Sequence, residues 1–416
     1  MQAIGESGMR RILLINQTFH PDIVATAQVL ADLARYLRGL GHEVTVIAGR
    51  RGYDDPKQVF PKRETWEGIR IERVGAIALG KGARWRRALN FATFLAACAF
   101  RMLLKPRQDL VIALTSPPLV AFLAAVFMHL RGGRYAYWVM DLNPDEAVAA
   151  GWLHRHGPLA RVLFAISAHT LRNARPVIAL DRFMADRIMR KGVPPSRIVV
   201  QPPWPHDDRV RFDPVGRAAF RERHGLADKW VVMYSGNHSP CHPLDPLLEV
   251  ARRMRSDAEF AFCFIGGGSG WANVREFRER HCLANVTLLP YEPPESVSAS
   301  LSAADLHTVV IGPAFVGLVH PCKIYNIIAL GTPVLCIGPG ENHVADLEQR
   351  FGDPRAIHFA APGDLDAIER AIRTSRELGL RPDPNRNAAL MAGIARAAAL
   401  ERLNRALFPG PNAGAR

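Results

Sequence analysis

Residues 315–334 read FVGLVHPCKIYNIIALGTPV, a glycine loop followed by a helical pattern and then by the start of an apolar strand. Proline suits the first turn of a helix and glycine suits its end, so we predict a helix from about Pro321 to Gly331. A short, continuous apolar strand after this helix, at 333–337, is typical of a parallel strand that is buried on both faces. This stretch therefore predicts an α/β fold.

The same alternation of apolar strands and helices extends along most of the chain. The predicted strands are residues 12–15, 43–48, 69–74, 110–114, 135–140 and 176–180, and then 230–234, 260–265, 286–288, 306–311 and 333–337. Helical patterns between them include residues 27–39, 246–254, 273–281 and 323–330. Strands that alternate with helices in this way form doubly wound parallel sheets.

A proline cluster, Gln201-Pro-Pro-Trp-Pro205, interrupts this pattern and is typical of a linker. We predict an N-terminal Rossmann-like domain at 1–203, a C-terminal Rossmann-like domain at 204–385, and a C-terminal helical segment at 386–416 that can pack back on the N-terminal domain. Ligands of open α/β sheets bind at the carboxyl ends of the strands. We therefore expect the functional site in a cleft across which the two domains face each other.

The composition excludes several classes of protein. Of the 416 residues, 48% are hydrophobic and 22% are charged, which is ordinary for a globular chain and excludes a disordered one. The six cysteines form no CxxC pair, which argues against a disulfide scaffold and a structural metal site and favours a reducing cytoplasm. The formal charge of +14 predicts an anionic partner. We expect an anionic membrane or a phosphorylated substrate rather than nucleic acid, because no nucleic-acid-binding motif is present.

Two stretches bear on membrane association. Residues 110–130 contain no Lys, Arg, Asp or Glu and are long enough to span a bilayer. However, Thr115-Ser-Pro-Pro118 interrupts them, which favours a buried strand followed by a helix that starts at the prolines. In residues 81–107, basic side chains flank an apolar helical stretch, 91–100. This segment is either a helix at an anionic membrane surface or a core helix with solvated ends.

Two glycine turns follow predicted strands of the second domain. Gly266-Gly-Gly268 comes between the strand 260–265 and a helix, and Gly236-Asn237-His238 follows the strand 230–234. Glycines let the backbone approach a diphosphate closely, and a helix N-terminus offers free N–H groups. Each turn can also be no more than a tight turn. Together they predict two anion-binding turns at the carboxyl edge of one sheet. Gly267, in the middle of the first turn, is among the candidate contacts.

The loop of the opening stretch predicts a third anion contact. We expect free backbone amides at Gly317, Leu318 and Val319, beside the ammonium group of Lys323 at the start of the helix. Such a set of donors can hold a diphosphate and stabilise the negative charge on a leaving nucleoside diphosphate. Lys323 is therefore a candidate catalytic residue as well as a candidate donor-binding residue.

Several motifs occur in the order found in a known enzyme family. They are Phe19-His-Pro-Asp22, Ala25-Thr-Ala27, Leu37-Arg-Gly-Leu-Gly-His-Glu-Val44, Thr115-Ser-Pro-Pro118, Trp138-Val-Met-Asp141, Tyr234-Ser-Gly-Asn237, Ile265-Gly-Gly-Gly268 and the helix 323–333. Over residues 10–345 the chain resembles the family 4 glycosyltransferases of the GT-B fold, in particular the branch that builds bacterial surface polysaccharides on lipid carriers. The resemblance implies transfer of a sugar from a nucleoside-diphosphate sugar to a lipid-linked acceptor hydroxyl, with retention at the anomeric carbon and without a bound metal.

The resemblance also implies roles in binding the sugar donor. Where the family has a Glu-x7-Glu pair that holds the donor sugar and the ribose, this sequence has Leu318 and Asn326. Leu318 offers only its backbone, whereas Asn326 can still hydrogen-bond a ribose hydroxyl. His238 lies near the position of the family's basic pair. Glu292, at the end of a predicted strand, is a candidate contact of the nucleotide base or the ribose.

On the acceptor or phosphate side, Ala25 and Thr26 replace the glycine pair of the family's first loop. Asp141 ends a predicted strand where the family often has a histidine or an aspartate, so it can orient and deprotonate the acceptor hydroxyl. Alternatively, Asp141 caps the helix that begins near Asn143-Pro144. For Asp145 and Glu146 we expect only a favourable interaction with the dipole of that helix.

The sequence thus predicts a cytoplasmic glycosyltransferase that is peripheral on the inner face of the membrane and needs neither a cofactor nor a metal. Two alternatives stay open at this point. One is a sugar-nucleotide epimerase or phosphorylase on the same fold. The other is a GT-B-like binding protein that has lost its donor site, because both family glutamates are replaced.

Overall fold

The structure, a computed structural model, describes residues 8–52, 57–77, 84–205 and 210–409. The chain divides into two compact units. Unit 1 runs to Pro202 and resumes at Ala399, and unit 2 runs from Pro203 to Ala398. Residues 386–398, which the sequence analysis assigns to the C-terminal segment, therefore group with unit 2.

Unit 1 consists of a mostly parallel sheet with helices between its strands. Its strands are β1 (Arg11–Ile15), β2 (Glu43–Gly49), β3 (Arg63–Trp66), β4 (Ile69–Val74), β5 (Leu110–Ala113), β6 (Arg134–Trp138), β7 (Val177–Ala179) and β8 (Ile198–Val200). Its helices up to the linker are α1 (Ala25–Gly39), α2 (Arg84–Leu103), α3 (Val120–Arg131), α4 (Asp145–Ala149), α5 (Pro158–Asn173) and α6 (Arg182–Arg190). Among the described residues, the strand order of this sheet is β3-β4-β2-β1-β5-β6-β7-β8.

The edge strand β3 was not predicted from the sequence. It pairs antiparallel with β4 through a tight turn in which Glu67 and Gly68 both have positive φ angles, 49° and 76°. Its four residues are alternately exposed and partly buried, and none is fully buried. A strand of this kind lacks the continuous apolar run by which the buried parallel strands were recognised.

The apolar stretch 110–130 forms a strand and a helix, as favoured from its prolines. The strand β5 is buried along its whole length, and α3 follows it. The helix begins at Val120 rather than at the prolines, because Leu119 at its N-cap has a left-handed backbone with φ of 74°. Among the helices in the described part of the chain, none is long and apolar enough to cross a bilayer.

Unit 2 contains a second parallel sheet with its own core. Its strands are β9 (Trp230–Asn237), β10 (Phe260–Gly267), β11 (Val286–Leu289), β12 (Leu306–Val310), β13 (Val334–Ile337) and β14 (Ile357–Ala360). Its helices are α7 (Pro214–Arg223), α8 (Asp245–Arg253), α9 (Trp271–Arg280), α10 (Val297–Ser302), α11 (Lys323–Leu330), α12 (Ala345–Glu348), α13 (Leu365–Glu377) and α14 (Ala388–Ile394). In the described residues the strand order is β11-β10-β9-β12-β13-β14, which confirms the predicted α/β class of two doubly wound halves.

The C-terminal helical segment predicted at 386–416 is interrupted. After α14 ends, Ala395 has an extended backbone with ψ of 143°, and a new helix, α15 (Arg396–Leu407), begins. From Ala399 onward this helix belongs to unit 1. There Arg402 donates to the side-chain oxygen of Gln201 at 2.9 Å, and Arg134 donates to the carbonyl of Leu407.

One buried carboxylate joins several elements of unit 2. Asp305, fully buried just before β12, accepts hydrogen bonds from Arg217 and Arg221 of α7 and from Arg381. It also accepts the backbone N–H of Val231 on β9 at 2.8 Å. Removing one member of such a buried ion network leaves the other charges without a partner, which is far more costly than losing an exposed pair.

We therefore expect Asp305→Ala to lower the free energy of unfolding by about 3–5 kcal/mol. The matched control is Asp366→Ala, because Asp366 forms an ion pair with Arg253 but its side chain is 74% exposed. That control should change the free energy of unfolding by less than about 1 kcal/mol. Denaturant unfolding measures both variants, and equal losses would contradict the role of Asp305 as a structural centre of unit 2.

Candidate functional site

Two strands of unit 2, β9 and β10, end side by side in glycines. In their parallel register Gly236 pairs with Gly266, and Asn237 pairs with Gly267. Gly236 and Gly266 both have a φ of 140°, which side chains rarely tolerate. A Cβ atom on Gly266 would also collide with the carbonyl oxygen of Gly236. The two turns predicted from the sequence are therefore packed directly against each other at the carboxyl edge of the sheet.

Backbone hydrogen bonds join these two turns. The amide of His238 donates to the carbonyl of Gly267 at 2.7 Å, and the amide of Gly270 donates to the carbonyl of His238 at 2.9 Å. Gly268 has a φ of 121°, and a Cβ there would collide with the side-chain oxygen of Asn237. The glycine turn then leads into α9 at Trp271. Glycine is needed at position 268 because the turn after β10 packs so closely against the turn after β9 that a side chain would not fit.

Lys323 is the first residue of α11, and its side chain reaches the same edge. Its Nζ lies 3.4 Å from the centroid of the Tyr234 ring, a close cation–π contact. A Cβ on Gly236 would lie only 2.9 Å from Nζ, so the ammonium is directly against the turn after β9. The Nζ atom is buried, and among the described residues it has no hydrogen-bond partner.

This buried ammonium is energetically costly in the absence of an anion. Burial lowers the pKa of Lys323 well below its usual value, because the charged form is poorly solvated there. An ammonium group can donate three hydrogen bonds, and a phosphate group supplies the matching negative charge and acceptor oxygens. The surroundings of Lys323 therefore suit an anionic ligand.

Two histidines beside Lys323 are neutral. Burial, and secondarily the charge of Lys323, lower the pKa of His238 to about 4 and that of His242 to about 3. The Nδ1 atom of His238 lies 3.0 Å from the carbonyl oxygen of Gly236, and Nδ1 of His242 lies 2.7 Å from that of Val310. Near neutral pH, neither ring adds positive charge to the site.

The loop before α11 corrects one prediction. The amides of Leu318 and Val319 are not free, because both donate to the carbonyl of Phe315, at 2.9 and 3.2 Å. The side chains of Leu318 and Val319 are buried as well. Gly317 supplies the positive φ, 71°, that the turn requires. The expectation of free backbone donors at Leu318 and Val319 is therefore wrong, and Gly317 and Lys323 remain the candidate anion contacts of this stretch.

The remaining candidates for donor binding lie near the same edge. Asn326 follows Lys323 by one turn of α11, a spacing that puts both side chains on one face of the helix. Glu292 follows the end of β11, beside Tyr291, which is half exposed. A Cβ on Gly267 would lie 3.2 Å from the Tyr291 ring, so this loop borders the glycine turns. The aromatic neighbour of Gly267 was not singled out from the sequence.

In unit 1, Asp141 lies in the turn that follows β6. Burial raises the pKa of its carboxyl group to about 6. The alternative that Asp141 caps the next helix is wrong, because Pro144 is the N-cap of α4 and that helix has no side-chain cap. A carboxylate with a raised pKa near neutrality is suited to accept a proton from a hydroxyl group.

Glu146 is buried beside Asp141, and its pKa departs further from the ordinary value than a first-turn acid would suggest. Burial, and secondarily the charge of Asp141, raise its pKa to about 8, while a 3.0 Å hydrogen bond from the Asn143 amide opposes the rise. It does lie in the first turn of α4 with Asp145, as predicted. Since the two carboxyl groups interact, they titrate as a pair, and burial raises the pKa of both. No residue pattern in the sequence signals this coupling.

Ala25 and Thr26 form the first turn of α1. The Thr26 hydroxyl lies 3.1 Å from that of Thr18, in the loop after β1, so the two side chains are hydrogen-bonded to each other. Val24, at the N-cap, supplies no side-chain cap. Ala25 and Thr26, predicted in a loop before a helix at 27–39, therefore lie within the helix itself, and the Thr26 hydroxyl is engaged by Thr18.

Comparisons with known proteins agree with this architecture. Residues 25–204 match the family described as Glycosyl transferase 4-like domain. The chain is 24% identical over 377 residues to WcaI of Escherichia coli K12, described as a colanic acid biosynthesis glycosyl transferase, with 87% of this chain and 91% of WcaI covered.

Solved structures match nearly the whole chain. Sucrose-phosphate synthase of Thermosynechococcus elongatus has a TM-score of 0.71 at 18% identity and covers 96% of this chain and 99% of its own. HepE of Anabaena, solved in complex with UDP, has a TM-score of 0.69 at 15% identity. The match covers 95% of this chain and 99% of the HepE chain. The fold of the chain is GT-B.

Proposed function

Because the chain is a glycosyltransferase with the GT-B fold, we propose that it transfers a sugar from a nucleoside-diphosphate sugar to a hydroxyl group of a lipid-linked acceptor. We further propose that the transfer retains the anomeric configuration and belongs to the synthesis of a cell-surface polysaccharide. One observation carries this proposal: the buried Nζ of Lys323, against two glycine turns, has no hydrogen-bond partner among the described residues.

The related proteins support the proposed substrates. HepE was solved with UDP, and another of its structures contains UDP-glucose, which supports a nucleotide-sugar donor here. The description of WcaI names colanic acid biosynthesis, which supports a surface polysaccharide as the product. The donor diphosphate would occupy the edge of unit 2 at Gly236, Gly266 and Lys323.

Two groups of this chain supply the chemistry of the proposed reaction. The Lys323 ammonium binds the diphosphate and stabilises the negative charge that grows on it as the bond to the sugar breaks. This positive charge takes the part that a metal ion plays in other transferases, so the proposed reaction needs no metal. Asp141 orients the acceptor hydroxyl and takes up its proton, assisted by the departing diphosphate. Attack from the face on which the diphosphate leaves retains the configuration.

A transfer assay tests the proposed function. The purified protein is incubated with a lipid extract of bacterial membranes and, in turn, with radiolabelled UDP-glucose, GDP-mannose, ADP-glucose and dTDP-rhamnose. We expect one donor to label the lipid fraction, with EDTA present as well as absent. Binding of a donor without transfer would instead favour a binding protein. Isomerisation of a donor would favour an epimerase, and cleavage that requires inorganic phosphate in place of the lipid acceptor would favour a phosphorylase.

The proposed lipid-linked acceptor requires contact with a membrane, and α2 offers a surface for it. Trp85, Leu89, Phe100 and Leu103 on this helix are 62%, 40%, 66% and 52% exposed, and Leu104 just beyond it is 60% exposed. Large apolar side chains exposed together on one helix are typical of a surface that contacts lipid or protein. We propose that this segment lies on the anionic inner face of the membrane.

The structure reduces the number of basic side chains in residues 81–107 that are available to an anionic membrane. Among the predicted cations of residues 81–107, Arg101 and Lys105 both donate to the carboxylate of Glu72, each at 2.6 Å. Their charge is therefore partly offset within unit 1. Lys81 lies outside the described residues, as do the side chains of Arg84 and Arg87. The proposed membrane contact therefore rests more on the exposed apolar side chains of α2, and less on its basic side chains, than the sequence indicated.

Phe100→Asp should weaken binding to vesicles of phosphatidylglycerol about tenfold or more, because burying a phenylalanine contributes about 1.5–3 kcal/mol. The measurement is co-sedimentation with vesicles of phosphatidylglycerol and phosphatidylcholine. Val215→Asp is the matched control, since Val215 is 79% exposed on α7 of unit 2. Equal binding by wild type and Phe100→Asp would contradict the membrane surface.

A further inference from the structure

The proposed donor site contains a second buried polar atom that the proposed reaction does not use. His238 is 1% exposed, and among the described residues its Nε2 has no hydrogen-bond partner. The ring is fixed in place: its Nδ1 contacts the carbonyl oxygen of Gly236, and its edges meet the rings of Tyr234 and Trp271, with centroids 5.2 and 5.0 Å away. Nε2 therefore has a fixed position in the site.

The protonation state of this ring follows from its neighbour. A carbonyl oxygen only accepts hydrogen bonds, so the contact with Gly236 puts the hydrogen on Nδ1. In the neutral ring Nε2 then has only a lone pair, which repels a phosphate oxygen, itself an acceptor. Protonation converts Nε2 into a charged donor, and charge-assisted hydrogen bonds to phosphate are among the strongest in proteins.

Three other titratable groups of unit 2 act on or adjoin this ring. Burial opposes a positive charge on His238, and the charge of Lys323 on α11 acts in the same direction. His242, in the loop after β9, is itself kept neutral by burial and by Lys323. Tyr234 of β9 meets the ring of His238, and burial raises the pKa of its phenol. None of these groups supplies negative charge near neutral pH, so without a ligand His238 is neutral.

We propose that the donor site binds a diphosphate together with a proton, which His238 takes up at Nε2. The bound phosphate is then held by an imidazolium and by the Lys323 ammonium. The inference rests on the proposed function, because it needs a diphosphate ligand. The negative charge of that ligand offsets the repulsion from Lys323, and its oxygen supplies the acceptor that Nε2–H requires.

The sign of the pH effect follows from linkage. A ligand that raises the pKa of His238 binds preferentially to the protonated protein, so its affinity increases as the pH falls. Over the range in which one proton is taken up, the affinity changes by up to about tenfold per pH unit. In a nucleotide sugar each phosphate carries one ester and one anhydride bond, so neither phosphate titrates near neutrality. The pH dependence of its binding therefore reports on the protein.

Titration calorimetry tests this inference. UDP-glucose, GDP-mannose, ADP-glucose and dTDP-rhamnose are titrated into the full-length protein between about pH 6 and about pH 8. At one pH the titration is repeated in buffers of different ionisation enthalpy, which counts the protons taken up. For the nucleotide sugar that binds, we expect tighter binding at lower pH and net proton uptake. His238→Gln should abolish both, whereas His281→Gln, at the far end of α9, should preserve both.

Each other outcome has a definite meaning. Binding by the wild type with no proton uptake overturns this inference and leaves the proposed function intact. Proton uptake that persists in His238→Gln also overturns it, because the proton then goes to Lys323 instead. Binding of none of the nucleotide sugars at any pH overturns the proposed function and this inference with it. If His238→Gln does not fold, His238→Asn provides the same comparison, and an absence of uptake by the wild type remains decisive.

Discussion

Replacing Lys323 with methionine should lower the rate of sugar transfer about a hundredfold, because the leaving diphosphate loses a stabilising charge worth about 3 kcal/mol in the transition state. The ammonium lies against the Tyr234 ring and the turn at Gly236, where it has no hydrogen-bond partner among the described residues. The measurement is the rate of transfer from the preferred donor at saturating concentration.

The same variant should be more stable than the wild type when no ligand is bound. A lysine whose pKa is lowered in the folded state costs stability at every pH below its unfolded value, and methionine removes that cost. The control is Lys229→Met. In the wild type the Lys229 ammonium is exposed and donates a hydrogen bond to the carbonyl of Ala258 at 2.6 Å. A Lys323→Met protein that melts earlier and transfers sugar normally would contradict a ligand-binding role for this residue.

Asp141→Asn should lower the transfer rate by about a hundredfold to ten-thousandfold, the usual contribution of a general base. Burial raises the pKa of Asp141 to about 6. A base acts only when deprotonated, so the wild-type rate should be constant above about pH 7 and should fall as the pH decreases through about 6. The measurement is the pH profile of the rate at saturating donor for both proteins.

Asp145→Asn is the matched control for this prediction. Asp145 is in the same chain segment, but its carboxylate forms an ion pair with Lys191 at 2.7 Å. This variant should retain the acid limb of the wild-type profile and most of its rate. A normal rate in Asp141→Asn, or an acid limb that remains after the substitution, would assign the proton to another group.

The fold was largely readable from the sequence because its strands are buried on both faces. Runs such as Leu110 to Ala113 and Phe260 to Ile265 are continuous and apolar, a pattern that only buried parallel strands and buried helices produce. The edge strand β3, Arg63–Trp66, has no such run. Its existence depends on the turn at Glu67 and Gly68 and on pairing with β4, which are tertiary features.

The candidate donor site was readable in part, for a related reason. Glycines at strand ends mark places where the backbone comes close to something, and Gly236, Gly266 and Gly268 do so here. The sequence did not reveal that the backbone amides of Leu318 and Val319 donate hydrogen bonds to the carbonyl of Phe315. That pairing depends on the local path of the loop, which residue types alone do not determine.

The protonation states of the site residues were harder to predict from the sequence than the fold or the positions of the glycine turns. Glu146 looks like an ordinary acidic residue of a first helical turn, and its raised pKa comes from burial and from the charge of Asp141. Likewise, the isolation of the Lys323 ammonium and the neutral state of His238 depend on which groups fold around them. Such shifts arise from burial and from through-space charge, and neither is encoded in a local pattern.

The most direct test of the central claim is a thermal-shift screen of UDP, GDP, ADP, CMP and dTDP, with wild type and Lys323→Met side by side. A ligand at a hundred times its dissociation constant adds about 2.7 kcal/mol to the stability of the folded state. We predict that one diphosphate raises the melting temperature of the wild type by clearly more than it raises that of Lys323→Met. No shift with any nucleotide, or an equal shift in both proteins, would contradict a donor site at Lys323.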